Sequence, residues 1–173
     1  MHKVVFLSIS VVLNIVGCGV VDDQRKIVAE GYIEDFREKN FEEAANYLYC
    51  PESLTDAEIS KELSEISRAL EIVYDEFGSP DHEKSSTSED FLAVAIGCGA
   101  AGFWQEYPPS KQIIFEVRYP DNEPGFIVFS YSLVNGKYVL AFVNHGFAKS
   151  ETDAAGKIYG VLRKLENNSE NSI

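Results

Sequence analysis

The sequence predicts an α+β fold, with N-terminal helices packed on an antiparallel sheet and a further helix at the C-terminus. Three observations carry this prediction: helical periodicity between residues 22 and 78, strand periodicity after residue 90, and a hairpin signal at Asn135-Gly136. Helices followed by hairpin-connected strands are typical of α+β domains. A chain of 173 residues that is 45% hydrophobic is long enough for one domain with a buried core.

Three helices are expected before the sheet. The first lies within residues 22–40, and a short second helix follows Asn40, which is expected to be its N-cap. The third begins at a capping box, Thr55-Asp56-Ala57-Glu58, and ends before Gly78. Its apolar residues recur every three or four positions, so it is expected to bury one face.

The hairpin is the most specific feature of the expected sheet. Strands are expected at 91–96, 113–119, 126–134 and 137–143. A two-residue Asn-Gly turn would place three cross-strand pairs on the core face. These pairs are Leu133 with Tyr138, Tyr131 with Leu140, and Phe129 with Phe142.

Two flanking segments complete the expected single domain of residues 24–166. Asp81-His82-Glu83 is expected to be a solvated loop, because consecutive side chains point apart and cannot converge on a metal. A last helix is expected from Ala154 to Leu165, and residues 167–173 are expected to be a disordered polar tail.

The N-terminus has the composition of a secretory signal. Lys3 precedes thirteen largely apolar residues, 4–16, whereas crossing a bilayer takes about 20. Ile15-Val16-Gly17-Cys18 follows and resembles the bacterial lipobox. The resemblance implies that residues 1–17 are a removed signal peptide, that Cys18 carries the lipid, and that residues 18–23 form a short tether. The alternative interpretations are an ordinary cleaved signal in which Cys18 is incidental, and an uncleaved membrane anchor.

The lipobox resemblance also implies a subcellular localisation. The protein would be held in the cell envelope by its lipid, and Gly19, standing where Asp would favour retention, implies the outer membrane facing the periplasm in a Gram-negative host. Envelope compartments are oxidising, and Cys50 and Cys98 are left as an even pair. A disulfide closing that loop would contribute about 4 kcal/mol on the chain-entropy model. The alternative is two buried thiols that never meet.

The element order is similar to that of NTF2-like and cystatin-like envelope domains over about residues 24–147. Phe77-Gly78-Ser79-Pro80 after the long helix and the Asn135-Gly136-Lys137-Tyr138 hairpin also carry this resemblance. It implies helices packed into the concave face of a curved sheet. It implies no particular activity, because the fold hosts enzymes, binding modules and accessory subunits.

Composition and motifs exclude several function classes. With 28 acidic and 15 basic residues, the chain lacks the basic stripe that nucleic-acid binding requires. Gly97-Cys98-Gly99-Ala100-Ala101-Gly102 matches G-x-G-x-x-G, but helices precede it and Pro108-Pro109 follow, which does not fit a dinucleotide site. No cofactor or metal is expected.

Four residues are candidates for a pocket or a partner contact: Phe103, Trp104, Tyr107 and His145. The aromatic loop beside Pro108-Pro109 would line a pocket mouth, contact a partner, or fold onto its own core. His145, at an expected strand end, would serve a site or be a hydrogen-bonded structural histidine. The sequence shows no G-x-S-x-G or other nucleophile motif beside it, so catalysis is not expected.

Two hypotheses about binding follow, and a third is that the protein is a purely structural component of the envelope. The first is a non-catalytic, membrane-tethered envelope lipoprotein that binds a protein partner or another envelope component. The alternative is a small-ligand-binding or hydrolytic NTF2-like domain with its pocket on the concave sheet face and with His145 and the aromatic loop at the rim.

Overall fold

A computed structural model describes residues 23–86, 91–99, 101–120, 123–148 and 154–170. Their elements, in chain order, are α1 (Asp23–Arg37), α2 (Phe41–Asn46), α3 (Asp56–Phe77), β1 (Asp81–Ser86), β2 (Phe91–Gly97), α4 (Ala101–Glu106), β3 (Pro109–Tyr119), β4 (Glu123–Val134), β5 (Lys137–Ala148) and α5 (Ala154–Glu170). The predicted signal peptide, the lipobox with Cys18, and the tether as far as residue 22 lie outside the described residues.

The five strands form one antiparallel sheet in the order β1-β3-β4-β5-β2. Strands β3, β4 and β5 pair consecutively, and β2 pairs with the far side of β5. Helices combined with an antiparallel sheet confirm the predicted α+β class.

One hydrophobic core joins helices α1, α2, α3 and α5 to a single face of this sheet. The alternation of β3 shows the principle: from Ile113 to Tyr119 every second residue is buried, and these residues point at the helices. Aromatic rings occupy much of this core. The largest of its fully buried side chains are Tyr32, Tyr131, Phe36, Phe115, Phe129 and Phe147.

The capping signals predicted that helices begin after Asn40 and after Thr55, and α2 and α3 begin there. Thr55 Oγ1 accepts the N–H of Glu58, and the Glu58 carboxylate accepts the N–H of Thr55 at 2.8 Å. The N–H of Thr55 and, after it, the hydroxyl of Thr55 lower the pKa of Glu58 by hydrogen bonding to its charged carboxylate. Asn40 holds the N-cap position of α2, but its side chain does not cap the helix. Its amide donates instead to Asp35 and Glu38, both at 3.3 Å.

The predicted hairpin turn is confirmed. Asn135 and Gly136 both have positive φ, 49° and 77°, as a type I′ turn requires. Two predicted pairs are also found, Leu133 with Tyr138 and Tyr131 with Leu140.

The predictions for the third pair and for the extent of the core face are wrong. A β-bulge in β5, where Ala141 has no partner between Leu140 and Phe142, shifts the register. Phe129 therefore pairs with Val143, and Phe142 stands opposite Ser130. A shift of one residue moves a side chain to the other face of the sheet, which takes Phe142 away from the face that α1, α2, α3 and α5 cover. At the tip of the hairpin, Leu133 and Tyr138 are 47% and 40% exposed, so they too lie outside the core.

Other boundaries also differ from the predictions. Asp81-His82-Glu83 belongs to edge strand β1, paired with β3, and is not a loop. Pairing with both β4 and β2 extends β5 to Ala148, so His145 lies inside a strand and not at its end. Helix α5 continues to Glu170, past the point at which the sequence predicts a disordered tail.

Candidate functional site: a buried histidine and an aromatic cluster

His145 is fully buried on the core face of β5. Its Nε2 lies 2.8 Å from the hydroxyl of Tyr32 on α1, and its ring centroid lies 4.6 Å from that of Phe36 on the same helix. Its Nδ1 has no hydrogen-bond partner among the described residues. The imidazole therefore joins α1 to the sheet through one hydrogen bond and through ring contacts with Tyr32 and Phe36.

Burial keeps this imidazole neutral. Loss of hydration lowers the pKa of His145 from 6.5 to about 3, because the charged form is the one that water stabilises. A general acid or base must reach a reacting group and titrate near the working pH. His145 does neither in this structure. It does not lie at the rim of a pocket, as the small-ligand hypothesis expected.

Two tyrosine hydroxyls share this core with His145. Burial raises the pKa of Tyr32 and of Tyr119 well above the usual value of 10, so both remain protonated. The Tyr119 hydroxyl has no hydrogen-bond partner among the described residues, and its ring packs on Phe77 and Phe147. The His145 bond to Tyr32 thus links two neutral groups, and no serine or cysteine nucleophile takes part in it.

The other three predicted site residues lie in α4 or next to it, so the prediction of an aromatic loop is wrong: Phe103 and Trp104 are helical, and Tyr107 follows the helix. We define the α4 aromatic cluster as Tyr49, Phe103, Trp104, Tyr107 and Phe142. The indole of Trp104 is 7% exposed and donates to the carbonyl of Cys98 at 2.7 Å, while its ring centroid lies 5.2 Å from that of Phe142. Phe103 and Tyr107 are half-buried, with ring centroids 4.9 Å apart.

This cluster and His145 do not form one site. The β5 bulge places Phe142 on the opposite sheet face from His145, and the α4 aromatic cluster follows Phe142. The small-ligand hypothesis placed both groups at the rim of one pocket. The bulge that separates them cannot be recognised in the sequence.

A disulfide between Cys50 and Cys98, the pair expected from the sequence, supports the α4 aromatic cluster. The two Cα atoms are 5.0 Å apart, and the bond joins the segment after α2 to the end of β2. Tyr49, next to Cys50, contacts the rings of Phe103 and Trp104.

The glycines of the G-x-G-x-x-G match are explained by this packing. Gly99 has a φ of +93°, and a Cβ there would stand 2.7 Å from the ring of Pro51. A Cβ on Gly97 would collide with the ring of Phe142. Gly99 is required by its positive φ and by the nearby Pro51, and Gly97 is required by the space that Phe142 occupies. The two glycines are therefore explained without a bound pyrophosphate.

Comparisons with known proteins found no match: no family model matches the chain, and neither the curated proteins nor the solved structures contain a match. Within the described ranges, no three His, Cys, Asp or Glu side chains are grouped so that they could hold a metal ion. None of the helices in the described part of the chain has the length and hydropathy needed to cross a membrane. Inferences about function therefore rest on the residues of this chain.

Proposed function

We propose that this protein is a lipid-anchored lipoprotein of the bacterial cell envelope, without catalytic activity, whose domain binds a protein or another envelope component. The observation that carries the proposal is Ile15-Val16-Gly17-Cys18 at the end of a short apolar segment. Each buried methylene contributes about 0.8 kcal/mol, so two or three acyl chains on Cys18 would hold the protein firmly. In a Gram-negative host, Gly19 favours the outer membrane, facing the periplasm.

The disulfide supports the proposed localisation in the cell envelope. Such bonds persist in oxidising compartments and are rare in the cytosol of mesophiles. The chain has three cysteines, and pairing Cys50 with Cys98 leaves Cys18 as the one thiol for lipid attachment.

We also propose that the domain is NTF2-like or cystatin-like. Helices covering one face of an antiparallel sheet support this assignment. In such an arrangement a ligand would enter between the helices and the sheet, where Tyr32, Phe36 and Phe129 are packed with no exposed surface. This packing favours binding at the outer surface over the small-ligand alternative.

The α4 aromatic cluster is the proposed contact surface for the partner. Phe103 and Tyr107 are partly exposed, and the nearly buried Trp104 and the disulfide fix them in place. Rigid aromatic side chains are enriched at protein interfaces, because they bury a large area at a small loss of conformational entropy.

The anchor and the contact are tested separately. Membrane fractionation of cells carrying wild type or Cys18→Ser tests the anchor: wild type is expected in the membrane fraction, and Cys18→Ser outside it. Equal distribution of the two would contradict lipid attachment.

Crosslinking in intact cells tests the contact. Wild type and a control, Tyr159→Ser on α5, are expected to give the same crosslinked species, which Phe103→Ser and Tyr107→Ser lose. Tyr159 is 61% exposed and lies outside the α4 aromatic cluster, so it controls for removal of a surface aromatic. An unchanged crosslink in all variants, or none in wild type, would contradict the proposed surface.

A further inference from the structure

A basic and apolar surface lies where the described chain begins. We define the hairpin patch as Arg25, Lys111, Leu133, Lys137 and Tyr138. Arg25 is in the first turn of α1, and Leu133, Lys137 and Tyr138 form the tip of the β4–β5 hairpin. Lys111 stands on the neighbouring strand β3, opposite Tyr131.

Two contacts hold the start of α1 against the hairpin. The guanidinium carbon of Arg25 lies 4.7 Å from the centroid of the Tyr138 ring, a cation–π distance. The hydroxyl of Tyr131 donates to the backbone carbonyl of Arg25 at 2.9 Å. The first turn of α1 and the hairpin tip therefore form one surface.

The exposed side chains of this surface are of the kind found at membrane interfaces. Leu133 and Tyr138 are directly opposite each other in the hairpin, so they share a face, and both are about half exposed. Lys111, opposite Tyr131, is exposed on the same face, and Lys137 is exposed on the opposite face of the hairpin tip. Tyrosine and basic residues with an apolar neighbour are characteristic of the headgroup region of a bilayer.

The length of the proposed tether limits where this surface can be. Helix α1 begins at Asp23, five residues after Cys18, and five residues span at most about 18 Å. A lipid on Cys18 would therefore hold the beginning of α1, and the hairpin in contact with it, close to the membrane surface.

Charge favours the same orientation. The chain carries a net charge of −13, so most of its surface would be repelled by an anionic membrane. A few Lys or Arg side chains near such a membrane each contribute about 1 kcal/mol of attraction. We propose that the hairpin patch rests on the bilayer and contacts anionic phospholipid, an inference that depends on the proposed lipid anchor.

Fluorescence quenching by brominated lipid tests this contact in the full-length, lipid-modified protein. Tyr138→Trp places an indole in the hairpin patch, and Tyr159→Trp is the matched control on α5. Lys157, in the turn of α5 that contains Tyr159, contacts Glu123 at the start of β4. Leu133 lies at the other end of this 12-residue strand, roughly 35 Å away. Both variants keep Trp104, which is nearly buried and gives a common background.

The proteins are reconstituted in vesicles of phosphatidylcholine and phosphatidylglycerol with bromine on the acyl chains near the headgroup. Relative to unbrominated vesicles, Tyr138→Trp is expected to lose most of its added emission, and Tyr159→Trp none. Vesicles of phosphatidylcholine alone are expected to reduce the loss. Equal emission of the two variants would overturn the contact, and a loss independent of phosphatidylglycerol would overturn its anionic specificity.

Two further measurements, the intact mass of the protein and its flotation with vesicles, distinguish failure of the membrane contact from failure of the proposed lipid anchor. A protein without lipid on Cys18 that does not float with vesicles would overturn the anchor and the inference with it. A lipid-modified protein that floats while Tyr138→Trp stays unquenched would overturn the membrane contact alone.

Discussion

The hydroxyl of Tyr32 lies 2.8 Å from Nε2 of His145, and this contact joins the first helix to the last strand across 113 positions of sequence. Both groups are buried, so water competes with neither. A buried hydrogen bond of this kind contributes modestly when it is made, and its loss is costly when one partner remains. The Tyr32–His145 pair thus holds α1 against β5 of the sheet.

Acid is expected to destabilise the domain through His145. The pKa of His145 is about 3 in the folded state and about 6.5 when unfolded, so the unfolded chain takes up the proton first. The free energy of unfolding therefore decreases as the pH falls below about 6.5. Protonation of His145 accounts for a decrease of up to about 1.4 kcal/mol per pH unit. Urea unfolding across this range measures the slope. His145→Gln, which does not titrate there, is expected to have a shallower slope; equal slopes would contradict the account.

Tyr32→Phe is expected to lower the free energy of unfolding by about 1–3 kcal/mol, because it leaves the imidazole of His145 buried without its partner. Tyr138→Phe, at a 40% exposed position, is the control and is expected to change stability little. Replacing Tyr32 and His145 together with phenylalanine and leucine should cost less than the sum of the single changes. Additive effects in this double-mutant cycle would show that the two residues are not coupled.

Reduction of the Cys50–Cys98 bond is expected to lower the free energy of unfolding by about 4 kcal/mol, through release of a loop with a sequence separation of 48. The Cys50→Ser/Cys98→Ser variant should reproduce this loss without reductant. Because Trp104 donates to the carbonyl of Cys98, near-ultraviolet circular dichroism of the indole should change in parallel. An unfolding midpoint that does not respond to reductant would contradict the bond.

Two substitutions within the G-x-G-x-x-G match should differ in their effect on stability. Gly99→Ala is expected to destabilise the protein by about 1–3 kcal/mol, because φ is +93° and Pro51 stands in the way of a Cβ. Gly102 lies exposed in α4, and a Cβ added there would meet nothing within 4 Å, so Gly102→Ala should be neutral or stabilising. Thermal unfolding compares them. Similar effects at both positions would contradict the packing explanation.

The features that were predicted correctly from the sequence are those that depend on interactions between neighbouring residues. The Thr55 capping box and the Asn135-Gly136 turn each depend on a few adjacent residues, and both are found. The β5 bulge depends on packing between distant strands, so the predicted pairing of Phe129 with Phe142 is wrong. Edge strand β1 was missed because Asp81-His82-Glu83 lacks apolar alternation and owes its conformation to pairing with β3.

The candidate site was predictable to a similar degree. Cysteine number and the expected compartment predicted the Cys50–Cys98 bond. The aromatic composition of 103–107 drew attention to Phe103, Trp104 and Tyr107, but it predicted neither helix α4 nor the contacts with Tyr49 and Phe142. Tyr32 lies within the first predicted helix, but a sequence separation of 113 gives no sign of its hydrogen bond to His145. The contact of Arg25 with Tyr138 was missed for the same reason.

The intact mass of the protein extracted from membranes, measured with and without reduction and alkylation, tests the central claim most directly. Lipid attachment predicts the mass of residues 18–173 plus a diacylglyceryl group and one amide-linked acyl chain. Cys50 and Cys98 should take up the alkylating reagent only after reduction. A chain that retains residues 1–17, or that begins elsewhere and carries no lipid, would contradict the anchor and the function proposed from it.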